Sequence, residues 1–341
     1  MSTLSKFFEL IDCLRIDMER WFEKSEKKFE LVISPKKETE SVKEWINDLK
    51  TNTLIVLRRS SIAYLVGAIC DEKVWAEFAW TIPYYLFQRF KLFEPLNKPF
   101  SESKAYKIDQ AFLEKLRDKK EVENAFEEWR EIWEHMLQRS PLRGSKRGKK
   151  VKWRKYVRSI TEYLMKASEK LIEEYQGNGD MIILQSLERR SPSKMPVINL
   201  GRLYLNLVRI PGIGPKKASM LVRDVKIAIA KGFYSPWISG FKERNKIDVL
   251  GVVGMELLPI DVHIQKFMKS ILQAFIQKKK SINKELFLAL AVAIDPENPG
   301  LVDLFIWNLR RRYCERKKCD ECILSYKTRK LLENIYCHTM Q

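Results

Sequence analysis

A mainly α-helical fold is predicted by three features of this sequence. Apolar residues recur three and four positions apart over long segments. Strand signals are few, the most arguable being Thr53–Arg58 and Ile247–Val253. Near the middle of the chain, two helical patterns meet at a tight glycine bend.

The N-terminus mixes Lys6, Glu9, Asp12 and Arg15 with its apolar residues, so it lacks the apolar core of a signal peptide. The apolar runs Ile62–Cys70 and Phe287–Ile294 fall short of the roughly 18 residues a spanning helix needs, so both are expected in a core. Trp75, Trp80, Tyr84 and Tyr85 follow the first run at helical spacing. Such aromatics pack cores more often than they line base pockets. Residues 104 to 138, dense in Glu, Lys, Leu and Trp, read as helix.

Between Arg139 and Arg158 there are ten Lys or Arg and no acid, with Gly144, Gly148, Ser140 and Pro141 interrupting any helix. This segment reads either as an arm tracking phosphates through Arg147, Lys149, Lys150, Lys152 and Arg154, with Trp153 and Tyr156 available for stacking, or as a solvated loop. A stripe of Ile160, Leu164, Ala167, Leu171 and Tyr175 then predicts a helix closing near Gly177-Asn178-Gly179.

The bend carries the chemistry. Asn199 is placed to cap a helix with Leu200, Leu203 and Leu207 on its apolar side. Pro215 suits the first position of the next, whose stripe is Ala218, Leu221, Val222, Val225 and Ile229. Gly212, Ile213 and Gly214 lie between them, and the glycines let backbone amides approach an anion at a helix N-terminus. The 63 Lys and Arg exceed the 44 Asp and Glu, a net +19, so the favoured anion is a nucleic-acid phosphate.

The run Ile210-Pro211-Gly212-Ile213-Gly214-Pro215-Lys216, followed downstream by Ile260-Asp261-Val262-His263, resembles the helix-hairpin-helix DNA glycosylase superfamily that includes endonuclease III. The resemblance implies a two-domain fold. A six-helix domain carries the hairpin, and a discontinuous second helical domain carries a four-cysteine metal loop. On that pattern residues 1–61 are the N-terminal part of the discontinuous domain and 62–95 the opening helices. Residues 96–157 are an insertion holding the basic segment, 158–275 the catalytic domain and 276–341 the C-terminal part. Where the family's polar loop carries Gln, this chain has Asp71-Glu72-Lys73, which leaves the base-reading role unassigned.

The resemblance also implies base-excision chemistry with Lys216 and Asp261 as catalytic residues. An amine can capture the deoxyribose as a Schiff base, from which the neighbouring phosphate is eliminated. Lysine, with a pKa of about 10.4, needs burial, nearby positive charge or a helix N-terminus to serve. Lys216 is expected to find these in the first turn of its helix beside Lys217; alternatively it only holds a phosphate while water attacks. Lys217 lies about 100° further round and is assigned to the DNA backbone or solvent. Asp261 steadies the cationic sugar, caps the following helix, or does both. His263 reads as structural. A non-catalytic DNA-binding module that keeps the hairpin is the rival of a different class.

Cys314, Cys319, Cys322 and Cys337 are separated by four, two and fourteen residues, while Cys13 and Cys70 read as ordinary core. In the reducing cytosol expected for this chain, four clustered thiols suit a metal site better than disulfides. The central Cys-x-x-Cys matches the family's iron–sulfur loop and the outer intervals do not. A four-iron, four-sulfur (4Fe-4S) cluster is what the resemblance implies, with structural zinc as the alternative. The expected partner is double-stranded DNA containing a damaged or mismatched base, engaged by a monomer without a membrane. The expected compartment is the cytosol, nucleoid-associated in a prokaryote.

Overall fold

The computed structural model describes residues 3–24, 31, 33, 35–97, 102–142, 149–189, 195–254, 258, 259, 262–275, 284–310, 313 and 321–333. The described residues are mainly helical, with one small sheet. No single helix among them is long and apolar enough to cross a membrane. The chain divides into two compact units. A terminal unit comprises Met1–Lys28, Ser219–Phe233 and Met255–Gln341; a central unit comprises Phe29–Ala218 and Tyr234–Gly254.

In the central unit, α2 (Glu40–Arg59) begins at a Thr39 cap and buries Ile46, Leu49, Thr53, Val56 and Leu57. The strand pattern expected at Thr53–Arg58 is therefore corrected. These β-branched residues continue a three-and-four spacing begun at Ile46, and burial of that face outweighs local strand preference. The wholly buried α3 (Ala63–Cys70) and α4 (Ala76–Arg89) follow. They approach closely because a Cβ on Gly67 would stand 2.5 Å from the Trp80 ring. After α5 (Phe93–Asn97) come α6 (Glu102–Leu116) and α7 (Lys119–Leu137), which pack with α8 (Lys149–Tyr175). Trp80, Tyr84 and Tyr85 are buried, the Tyr85 hydroxyl donating to Glu128 at 2.9 Å, so they belong to the core.

The reading of Arg139–Arg158 as a flexible arm or a solvated loop is also corrected, from Lys149 onward. Helix α8 starts at Lys149, because Trp153, Tyr156 and Val157 extend the Ile160–Tyr175 stripe upstream. Trp153 and Tyr156 are 1% and 3% exposed, and both are already bonded. Trp153 Nε1 donates to Glu127 at 2.8 Å and the Tyr156 hydroxyl to the Cys70 carbonyl at 3.0 Å, so neither is available to stack on a base.

Past α9 (Asp180–Leu184), β1 (Leu187–Arg189) pairs antiparallel with β2 (Pro196–Asn199). On its other edge β2 pairs in parallel with β3 (Gly251–Val253), the short remnant of the strand expected at Ile247–Val253. Strand β2 runs directly into α10 (Leu200–Val208), α11 (Pro215–Ala230) begins after the bend, and α12 (Pro236–Asn245) completes this unit's helices.

A buried carboxylate ties three parts of this unit. Asp109 of α6 accepts from Ser60 Oγ at 2.5 Å, Ser61 N at 3.0 Å and Ser61 Oγ at 2.7 Å, and Ser61 Oγ accepts from Gly179 N at 2.9 Å. Burial pushes the Asp109 carboxyl from 3.8 up to about 6, against the pull of these hydrogen bonds. A raised folded value means that stability is complete below about pH 4 and is lost as pH rises through about 6, by up to roughly 3 kcal/mol. Chemical denaturation from pH 4 to 7 is expected to show this decline in the wild type and not in Asp109→Asn. Parallel profiles for the two proteins would contradict it.

The terminal unit packs α1 (Thr3–Lys24), most of α11, α13 (Val262–Phe275), α14 (Lys284–Ile294), α15 (Pro299–Leu309) and α16 (Tyr326–Glu333). Its core includes Leu10 and Leu14 of α1, Phe267 and Ile271 of α13, and Phe305 and Leu309 of α15. Asp17, buried on α1, accepts from Ser325 N at 2.9 Å and Thr328 Oγ1 at 2.5 Å, which satisfies the first turn of α16. Arg15 donates to the Ala293 and Ile294 carbonyls at 2.7 and 2.8 Å, capping the C-terminus of α14.

Candidate functional site

The hairpin is built by caps and buried aliphatics. Asn199 accepts from Arg202 N at 3.0 Å, as its place before the first periodic leucine predicts. Leu200, Leu203 and Leu207 are buried. Ile210 N donates to the Leu207 carbonyl and Ile213 N to the Ile210 carbonyl, both at 3.0 Å, which rolls the chain through two successive turns. Ile210 and Ile213 plug the underside of the bend, so Ile213 can approach DNA only through its backbone.

The two glycines do different work. Gly212 adopts φ +84°, and a Cβ there would lie 2.9 Å from Ile69 Cγ2 and 3.0 Å from Tyr163 Cβ. It serves both the left-handed conformation and the tight fit between α3 and α8. Gly214 is exposed, and among the described residues no heavy atom comes within 4 Å of where its Cβ would be. The open side of the bend is thus at Gly214, directly before the first turn of α11, where backbone amides are not used by the helix.

Lys216 and Lys217 occupy that first turn with opposite fates. Lys216 is exposed. The desolvation expected of it falls on Lys217, whose Nζ donates to the Ile69 carbonyl at 2.8 Å and the Gly212 carbonyl at 3.1 Å. The assignment of Lys217 to the DNA backbone or to solvent is corrected accordingly. Ile69 is in the last turn of α3, where carbonyls lack helical partners and the helix dipole favours a cation. Burial lowers the Lys217 pKa, opposed by the nearby Asp71 carboxylate. Nothing in the sequence signals this clamp, because its acceptors are backbone carbonyls and one of them lies 148 residues away.

Lys217→Met is expected to cost about 1–3 kcal/mol by leaving the carbonyls of buried Ile69 and half-buried Gly212 without their charged donor. Urea denaturation measures it; an unchanged midpoint would mean that the clamp carries no stability.

The polar loop after α3 is held on the neighbouring chain. Asp71 N caps α3 through the Gly67 and Ala68 carbonyls, Lys73 takes φ 62°, and Trp75 N donates to the Pro141 carbonyl at 2.9 Å. The Arg139 guanidinium lies 3.8 Å over the half-buried Trp75 ring and pairs with buried Glu77 at 3.3 Å. Cys70 is buried and burial raises its thiol pKa, which keeps it protonated and inert.

Lys152 and Arg154 are exposed on α8; Lys149 and Lys150 belong to the same helix, their side chains lying outside the described residues together with Arg147. Asp261 also lies outside them, directly before α13, and so does the His263 side chain. Of the four clustered thiols, Cys314, Cys319 and Cys337 lie outside the described residues. Cys322 is half-buried against the terminal unit's core, near the start of α16. Among the described residues, no three His, Cys, Asp or Glu group as a metal site would require. Comparisons with family models, with curated proteins and with solved structures found no match, so the interpretation of this site rests on its own residues.

Proposed function

We infer that this protein is a base-excision DNA glycosylase with associated lyase activity, acting on duplex DNA that contains a damaged or mismatched base. One observation carries the reading. The glycine bend is open at Gly214, directly before the first turn of α11, and an exposed lysine, Lys216, stands in that turn. Amides at the bend bind the phosphate backbone without reading sequence. The target nucleotide leaves the stack to be reached. Lys216 then adds to its anomeric carbon as the base departs with the glycosidic electron pair and takes up a proton. The amine's nitrogen lone pair then expels the ring oxygen, which takes up a proton given up by that amine, and the opened sugar is held as a Schiff base. This allows loss of a proton from the neighbouring sugar carbon and elimination of the adjacent phosphate, which leaves with its C–O electron pair. Asp261 offsets the positive charge that grows on the sugar. Its place at the start of α13 also suits a helix cap.

The exposure of Lys216 favours one second reading. In it the ammonium remains charged and binds a phosphate, while water placed by Asp261 attacks; the enzyme then releases base without cutting the strand. Duplexes each carrying one lesion, assayed for free base and for a borohydride-trapped adduct, test both. Base release with a trapped adduct supports the amine route and release without one the water route. Binding with no release from any duplex leaves a helix-hairpin-helix DNA-binding protein.

The thiols Cys314, Cys319, Cys322 and Cys337 suit a 4Fe-4S cluster, or structural zinc, by their chemistry. The half-buried position of Cys322 against the core fits a structural group that braces the basic stretch Arg316-Lys317-Lys318. Bound iron and acid-labile sulfide in equal amounts, with brown absorption lost in Cys322→Ser, are the expected result. Colourless protein holding zinc would assign the alternative.

A further inference from the structure

The exposed border of α8 on which Tyr163 meets the hairpin carries a stripe with three lysines. At 3.6 residues per turn, Lys152, Lys155, Ser159, Tyr163 and Lys166 fall within about 80° of one another. The opposite side of this helix is filled by Trp153, Val157, Ile160 and Leu164, so the stripe cannot turn inward. Tyr163 links it to the hairpin. Its ring is 37% exposed, while its Cβ and Cγ stand 3.0 and 3.2 Å from where a Cβ on Gly212 would be.

An ordinary solvated helix face mixes signs and pairs them four residues apart. Neighbouring parts of α8 do this: Arg158 pairs with Glu162 at 3.3 Å and Lys170 with Glu174 at 2.6 Å. The three lysines of the stripe do not, although Glu162 stands one turn before Lys166 and Lys170 continues the same face. Lys152, Lys155 and Lys166 are exposed, and among the described residues none is in an ion pair. Unpaired like charges on a rigid helix repel one another, and a polyanion relieves that repulsion.

We propose that this stripe is a second phosphate track, which holds the backbone of the same duplex the hairpin grips and leads it toward Gly212. The proposal rests on the reading of duplex DNA as the substrate. It also replaces a flexible arm with a preformed surface, which loses little conformational freedom on binding. From Lys152 to Tyr163 the helix rises about 16 Å, a length that passes about five phosphates of one strand. The partner is therefore the DNA backbone along one flank of the target site, held without reference to its sequence.

Full-length protein and a fluorescently labelled undamaged duplex test this by anisotropy between about 50 and 200 mM salt. The triple variant Lys152→Gln, Lys155→Gln, Lys166→Gln is expected to reduce the slope of log affinity against log salt by about 2–3, and to weaken binding on the order of 100-fold at 0.1 M salt. A control triple, Lys37→Gln, Lys91→Gln, Lys120→Gln, removes the same charge from exposed positions elsewhere in the central unit. It is expected to keep nearly the wild-type slope. Equal losses in both triples, or none in the first, overturn the track. If the wild type binds duplex steeply with salt but releases base from no lesion, the enzyme reading fails, and the track stands if the first triple alone lowers the slope. If base is released and the first triple binds like the wild type, the track alone fails. Absence of duplex binding by the wild type overturns both.

Discussion

Lys216→Gln is expected to abolish the borohydride-trapped adduct and to slow strand cleavage by about three orders of magnitude or more, roughly 4 kcal/mol of barrier. The size follows from the role: an amide nitrogen has no available lone pair, so the covalent route is closed rather than weakened. Glutamine keeps a polar side chain one atom shorter than lysine, and Lys216 is exposed, so folding should be unaffected. Affinity for undamaged duplex should fall only by the share of one phosphate contact. Asp261→Asn should slow base release while leaving that affinity unchanged. Were base release to survive in Lys216→Gln while strand cleavage vanished, water would be the attacking group. Survival of both would remove Lys216 from the chemistry.

Asp180→Ala is expected to destabilise the central unit by about 3–5 kcal/mol, because it strands a buried guanidinium. For a domain of this size that shifts the melting temperature by about 10 °C. Arg244 donates to both Asp180 oxygens, each at 2.8 Å, and Asn245 Nδ2 adds a third bond at 3.1 Å. The same guanidinium reaches the Arg58 carbonyl at 2.6 Å, so one fork joins α9, α12 and the last turn of α2. Close packing of α12 on α2 makes this possible. A Cβ on Gly240 would stand 1.7 Å from the Arg58 carbonyl oxygen, closer than any side chain allows. The surface pair Arg58–Glu243, at 3.1 Å and half-exposed, should by contrast contribute about 0–1 kcal/mol. Asp180→Leu combined with Arg244→Met should recover most of the loss, because the expensive event is removal of one partner alone. A loss below about 1 kcal/mol in Asp180→Ala would show that water reaches the fork.

Legibility differed between residues according to how local their determinants are. The Asn199 cap, Pro215 at the head of α11 and the stripe Ile160 to Tyr175 depend on neighbours within a turn or two, and each was readable. The β-branched run Thr53–Arg58 resembles a strand when isolated from the helical spacing that begins at Ile46. Trp153 and Tyr156 looked like stacking residues in a basic arm. Their burial depends on Glu127 and on the Cys70 carbonyl, partners 26 and 86 residues away.

From the amino-acid order alone came the helical class, the glycine bend with its lysines, the basic character and the four thiols, since spacing, capping and charge are properties of near neighbours. Only the tertiary structure decided which of two adjacent lysines turns inward. Lys217 turns inward because the end of α3 presents a carbonyl without a helical partner, and Lys216, about 100° round the same helix, is left facing out. Likewise it is the packing of Tyr163 on Gly212 that brings α8 to the bend, a proximity encoded in no local pattern.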